Sequence, residues 1–144
     1  MKPVKVHNLK SPAIEWVLCQ LEGCQIARQP HSVHKDGFQI WPFSKPGEET
    51  CGAAGLLTNR AWSPSMPDYL TGKAGDDIID REKIGVECGY GLHREHWRAS
   101  AYVNYLYSSA QRHTMDASTR RLAAMRCYIA SKHGDTVEVP EELL

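Results

Sequence analysis

Apolar and polar positions repeat along this chain in two different periods, and the change from one to the other marks out its elements. Near the start, "VKVHNL" sets Val4 and Val6 between polar neighbours, which predicts a short strand. Ile14, Val17, Leu18 and Leu21 then recur at helical spacing and form one apolar stripe. Ser11 ahead of them reads as a helix cap, with Pro12 in the first helical position, where its missing N–H costs nothing. Gly23 supplies the stop, so a helix is predicted over about residues 12–22. Trp16 falls off its stripe, and a large aromatic there must pack against another element, meet a partner or line a pocket.

From Cys24 to Tyr107 the pattern is one of strands and loops. "CQIARQ", "FQIWPF" and "KIGVEC" are short strand candidates, and "HWRASAYVNYLY" is the longest, with Trp97, Ala99, Ala101, Val103 and Tyr105 alternating with Arg98, Ser100, Tyr102 and Asn104, a half-buried strand or a hairpin bent near Ala101. The stretch "SKPGEETCGAAGLLTNRAWSPSMPDYLTGKAGDD" is rich in Gly, Pro and Ser and reads as one long loop, of the kind that usually binds something or is disordered. A last helix is predicted from near Asp116 or Ser118 to Gly134. Leu122, Met125 and Ile129 form its core stripe, and Ala123, Cys127 and Ala130 a second stripe of small side chains that lets another element approach closely. No internal repeat is evident. The sum is a single α+β domain over residues 1–144, a small antiparallel sheet flanked by an N-terminal and a C-terminal helix, with a long central loop.

Composition narrows the setting. The chain has 144 residues, 42% hydrophobic and 24% charged, with no run able to span a bilayer and no apolar stretch behind the first lysines to act as a secretory signal. Five scattered cysteines without a CxxC pair suggest reduced, mostly buried thiols. Seventeen basic residues balance seventeen acidic ones, which argues against duplex nucleic acid as the partner. Arg112, Arg120, Arg121, Arg126 and Lys132 make the one basic imbalance, spread around the last helix as a solvated surface that acidic Asp135, Glu138, Glu141 and Glu142 could neutralise.

Candidate chemistry clusters in "NRAWSPSMPDY". Trp62 offers a stacking face, Ser63 and Ser65 offer hydroxyls, and Arg60 and Arg81 flank the segment with guanidinium groups suited to phosphate or carboxylate. That combination fits a nucleotide-like ligand, with Trp16 and Trp97 as further walls. In the alternative reading Trp62 plugs the core and Ser-Pro-Ser only turns the chain. His31/His34 and His93/His96 are HxxH pairs, but on strands or loops i and i+3 point to opposite faces, so no metal is assigned. Cys51 lies in the Gly-rich "TCGAAG" without a nucleophile-elbow pattern. Tyr102, Tyr105 and Tyr107 are dense enough for an interface.

Three blocks carry a family resemblance: "VKVHNLKSPAIEWVLCQLEG", "WSPSMPDYLTGKAGDDIIDREKIGV" and "AAMRCYIASKHGDTVEVPEEL". Together they resemble the NinX-like family of small proteins encoded by lambdoid bacteriophages. The resemblance implies a phage accessory protein acting in the host cytoplasm, and it implies no particular reaction. Combined with the loop composition, the expectation is a non-enzymatic binder of a small anionic or nucleotide-like ligand, without a cofactor and as a homo-oligomer. One use would be sequestering a host immune signalling nucleotide. Two alternatives remain open: a protein-interaction module that inhibits a host factor, and a zinc-dependent enzyme using the four histidines.

Overall fold

The computed structural model describes residues 1–28, 37–41, 55–58, 67–89, 96–102 and 112–144. These fall into two compact units, one of residues 1–3, 10–67 and 138–144 and the other of residues 4–9 and 68–137. The architecture is α+β, with three α-helices and three small sheets among the described residues. Strand β1 (Lys2–Lys5), followed by a 3-10 helix at Val6–Asn8, pairs with β8 (Thr136–Val139) as a two-stranded sheet.

In the first unit, α1 (Ala13–Leu21) is followed by β2 (Gln25–Arg28), β3 (Phe38–Trp41) and β4 (Gly55–Leu57), an antiparallel meander. Helix α1 starts one residue later than the capping pattern predicts: Pro12 is its N-cap, and the Ser11 hydroxyl donates to Glu15 Oε1 at 2.8 Å instead of capping the backbone. Ile14, Val17 and Leu18 are buried as the stripe requires, and Trp16 is buried beside them.

In the second unit, α2 (Lys73–Arg81) is followed by β5 (Gly85–Cys88), β6 (Trp97–Tyr102) and β7 (Arg112–Ala117), again an antiparallel meander, and then by α3 (Arg120–His133). Strand β4 and the first half of α2 lie inside the stretch whose Gly and Pro content predicts a loop. The apolar signal of α2 is confined to Ile78 and Ile79, which are buried while Lys73, Asp77 and Asp80 are exposed. Strand β7 takes up the ground where the last helix was expected to begin. That helix starts at Arg120, where the Thr119 hydroxyl accepts from Leu122 N–H at 3.2 Å.

The fold repeats where the sequence does not. Helices α1 and α2 have the same length and start 60 residues apart (73 − 13), and β2 and β5 keep the same offset (85 − 25). Both helices close alike: Cys24 N–H reaches Cys19 C=O at 2.8 Å, and Ile84 N–H reaches Ile79 C=O at 3.0 Å. The residue between helix and strand has positive φ in both, 76° at Gly23 and 54° at Lys83. Between residues 18–28 and 78–88 only Glu22 and Glu82 coincide, so backbone geometry, not side-chain identity, carries the likeness.

Helix α3 is the core of the second unit. Every residue from Ala123 to Ala130 is buried, more than two full turns, so this helix is covered all round. It packs across β5, β6 and β7, and also against α2 and the 3-10 helix. Small residues permit that: Ala99, Ala101 and Ala117 on the sheet are buried, and Cys127 donates its thiol proton to the His113 carbonyl at 3.2 Å. Gly134 ends the helix with φ 83°, and Lys132 and His133 in the last turn suit its dipole.

Candidate functional site

The basic side chains of α3 are answered by α2. Asp68, just ahead of α2, accepts from Lys73 N–H and Ala74 N–H, both at 3.1 Å, and so caps the helix. Two glycines allow the fit. A Cβ at Gly72 would lie 1.7 Å from Asp68 Oδ2, and one at Gly75 would lie 2.0 Å from the Tyr69 carbonyl oxygen. One turn along, Asp76 accepts from Arg121 Nε at 3.1 Å and Nη2 at 3.0 Å, and from Arg120 Nη1 at 3.1 Å. The Arg121 hydrogen bond, reinforced by Arg120, holds the Asp76 carboxyl below its ordinary value.

At the far end of α2, Arg81 leans on Tyr128. Its Nη2 donates to the Tyr128 hydroxyl at 3.3 Å, and its guanidinium carbon lies 5.8 Å from the ring centre. Lys132 Nζ sits 5.5 Å from the same ring. Glu82 meets both cations, at 3.3 Å to Arg81 Nε and 3.1 Å to Lys132 Nζ. The two cations share one aromatic ring, with the Glu82 carboxylate between them. Both remain nearly half exposed, at 49% and 43% of their side-chain surface. Such an arrangement can receive an anion by exchange at Glu82, with Tyr128 as a rigid floor.

Arg126 departs from the expected solvated face. It is only 8% exposed, and its guanidinium donates from Nε and Nη2 to Leu9 C=O at 3.1 and 2.7 Å and from Nη1 to Asp116 C=O at 3.3 Å. Burial pulls its pKa below the ordinary arginine value. The Asp116 carboxylate is engaged elsewhere, bidentate with Arg98 at 2.7 and 3.0 Å across β6 and β7.

In the first unit, Glu15 and Trp16 are 4% and 5% exposed, and Glu15 Oε2 and Trp16 Nε1 have no hydrogen-bond partner. Burial raises the Glu15 carboxyl above the usual range; the Ser11 hydroxyl and Glu15's own backbone N–H oppose this only in part. Glu15 escaped the sequence reading because a Glu in a first helical turn normally reads as a solvated dipole partner. Glu142 does not neutralise α3; it pairs with Arg28, whose guanidinium carbon lies 5.1 Å from the Phe38 ring centre.

Of the expected ligand residues, Arg81 has the geometry just given and Trp97 is half-buried at the start of β6, opposite Cys88 and Ala117. Trp16 belongs to the other compact unit. Trp62, Ser63 and Ser65 lie outside the described residues, as do Cys51, Tyr105, Tyr107, His31, His34 and His93. Among the described residues no three His, Cys, Asp or Glu side chains gather as a metal site, and no helix is long and apolar enough to cross a membrane. Cys19 and Cys127 are buried, Cys24 is half-buried and Cys88 is exposed.

The sequence profile of the family described as Bacteriophage P22, NinX matches residues 59–132, just over half of the chain. The chain belongs to that NinX family. The matched span takes in α2, the whole β5–β6–β7 meander and α3 through Lys132, so from Asp68 onward it falls on the second unit, with residues 59–67 in the first. Of the three blocks that resemble the NinX family in sequence, the middle one lies within the match, the closing one begins within it, and the opening one lies outside. No curated protein matches the chain.

Proposed function

We propose that this NinX-family protein is a non-enzymatic phage accessory protein that captures a small anionic or nucleotide-like ligand in the host cytoplasm, working as a homo-oligomer. One use of such capture is sequestering a host immune signalling nucleotide, which needs affinity and no turnover. The observation that carries the reading is the pair of half-exposed cations, Arg81 and Lys132, on the ring of Tyr128 with Glu82 as their shared carboxylate. A phosphate exchanging for Glu82 would gain charge-assisted bonds from both cations. Trp62, Ser63 and Ser65 add the aromatic and hydroxyl groups that the sequence suggests for the same ligand class.

Native mass spectrometry of the protein as purified, followed by calorimetric titration with mono-, di- and cyclic nucleotides, tests this. Saturable binding that weakens at least about tenfold in Arg81→Ala and in Trp62→Ala is expected. Unchanged affinity in both variants would remove the site, and absence of any binding would bring a protein partner forward.

A further inference from the structure

The turn that ends α1 brings two cysteines together. Past the last helical residue, Leu21, Gly23 has φ 76°, and two backbone bonds close the end: Cys24 N–H to Cys19 C=O at 2.8 Å, and Gly23 N–H to Gln20 C=O at 3.1 Å. That pair of bonds around a left-handed residue is a Schellman motif, whose outer residues, here Cys19 and Cys24, commonly meet in side-chain contact. The second unit has the same outer bond around Lys83, and its outer residues are Ile79 and Ile84, both buried as an apolar contact requires. The first unit thus sets two thiols where the second sets two isoleucines.

The 2.8 Å bond also bounds the distance between the two cysteines. A carbonyl oxygen lies about 2.4 Å from its own Cα and an amide nitrogen about 1.5 Å from its own, so the Cα atoms of Cys19 and Cys24 are at most about 6.7 Å apart. Disulfides span Cα separations of about 4.4–6.8 Å, so the backbone admits the bond as it stands. Access differs within the pair. Cys24 is half-buried and Cys19 fully buried, so a reagent from solvent meets Cys24 first.

We propose that Cys19 and Cys24 are a dithiol modification site, which small disulfides of the glutathione class oxidise to a disulfide within the turn. The Cys24 thiol gives its proton to water and attacks one sulfur of the reagent, whose S–S bond breaks to leave a Cys24–glutathione mixed disulfide and one glutathione thiolate. Cys19 then gives up its proton and attacks the Cys24 sulfur, expelling the second glutathione thiolate. Both departing thiolates take up protons. The two cysteines lose two electrons and the reagent gains them, so the products are one protein disulfide and two glutathione thiols. The closed ring spans only residues 19–24 and constrains the unfolded chain little, so excess thiol should reopen it. In a reducing compartment such a pair senses oxidation and is not a permanent staple. The site shares no residue with the Arg81 cluster and does not depend on the ligand proposed there.

The test equilibrates the full chain in glutathione buffers of rising oxidised-to-reduced ratio, quenches with acid, alkylates and digests with trypsin. Cleavage after Lys10 and Arg28 leaves both cysteines, and no others, in the peptide 11–28. That peptide should lose two hydrogens and resist alkylation until it is reduced. Cys19→Ser should arrest the reaction at the Cys24–glutathione adduct, and Cys24→Ser should leave Cys19 unmodified. The folded wild type should close the bond with an equilibrium constant at least about tenfold above that of the same chain in urea, because the turn holds the thiols together. This comparison needs no variant and decides the matter if Cys19→Ser does not fold. Three results would overturn the proposal: peptide 11–28 staying a dithiol while the exposed Cys88 is converted to its glutathione adduct, an adduct accumulating on wild-type Cys24 without closing, or the urea-unfolded chain forming the bond as readily as the folded one.

Discussion

Arg126 places two of its N–H groups on the carbonyl of Leu9, 117 positions earlier in the sequence, at 3.1 and 2.7 Å. That carbonyl ends the 3-10 helix of the second unit, so a buried cation on α3 fixes the segment that leads out of it. Arg126→Ala should strand the Leu9 and Asp116 carbonyls and open a cavity, a loss of about 2–4 kcal/mol. Arg126→Lys should recover part of this, since an ammonium can reach one carbonyl but cannot span both. Urea unfolding of the two variants against wild type checks the order.

Lys83 and Gly23 occupy equivalent turns, yet only one of them is a glycine. A side chain at φ 54° costs about 1 kcal/mol, so Lys83→Gly should be neutral to stabilising by up to about that amount. Gly23→Ala should destabilise by about 1 kcal/mol through the same strain. Opposite shifts in melting temperature are the signature to look for.

Gly75 reverses an ordinary expectation. Within a helix, Gly→Ala usually gains about 1 kcal/mol. Here the new Cβ would stand 2.0 Å from the backbone oxygen of Tyr69, so Gly75→Ala should destabilise by several times that gain, about 3 kcal/mol or more. Gly72→Ala meets the movable Asp68 side chain instead and should cost about 1–2 kcal/mol, the worth of the displaced cap. Circular dichroism melts of both variants would resolve the difference.

Glu15 and Asp76 should pull stability in opposite directions with pH. The folded-state pKa of Glu15 is raised, so its neutral form is harmless at acid pH, and stability is lost as pH climbs from its unfolded value through the folded one. Glu15→Gln should match wild type near about pH 4 and exceed it near about pH 8. The folded-state pKa of Asp76 is lowered, so its contribution is present above the unfolded value and disappears as pH falls through the folded one. Denaturation midpoints of Glu15→Gln, Asp76→Asn and wild type across pH separate the two.

What could be read in the sequence depended on where each element's instructions are written. Helix α1, strands β2, β3, β5 and β6, and the closing helix announce themselves by local spacing and by Gly23 and Gly134. Helix α2 does not, because Gly72 and Gly75 look like loop residues until the approach of Asp68 and Tyr69 explains them. The same holds for α3's charges: nothing local tells buried Arg126 apart from Arg120 and Arg121, which answer Asp76 at the surface. At the candidate site, Arg81 was legible as a guanidinium suited to an anion, while Tyr128 and Lys132 come from an element 47 and more residues away. The orphaned atoms of Glu15 and Trp16 are a property of burial alone, and no periodicity encodes them.

Helix α3, covered on every side, has a consequence for how the second unit breathes. Its amides between Ala123 and Ala130 touch water only when the surrounding sheet and helix come apart, so partial fraying cannot release them. Their hydrogen-exchange rates therefore read the full opening free energy of that unit, and α3 serves as its built-in gauge of cohesion.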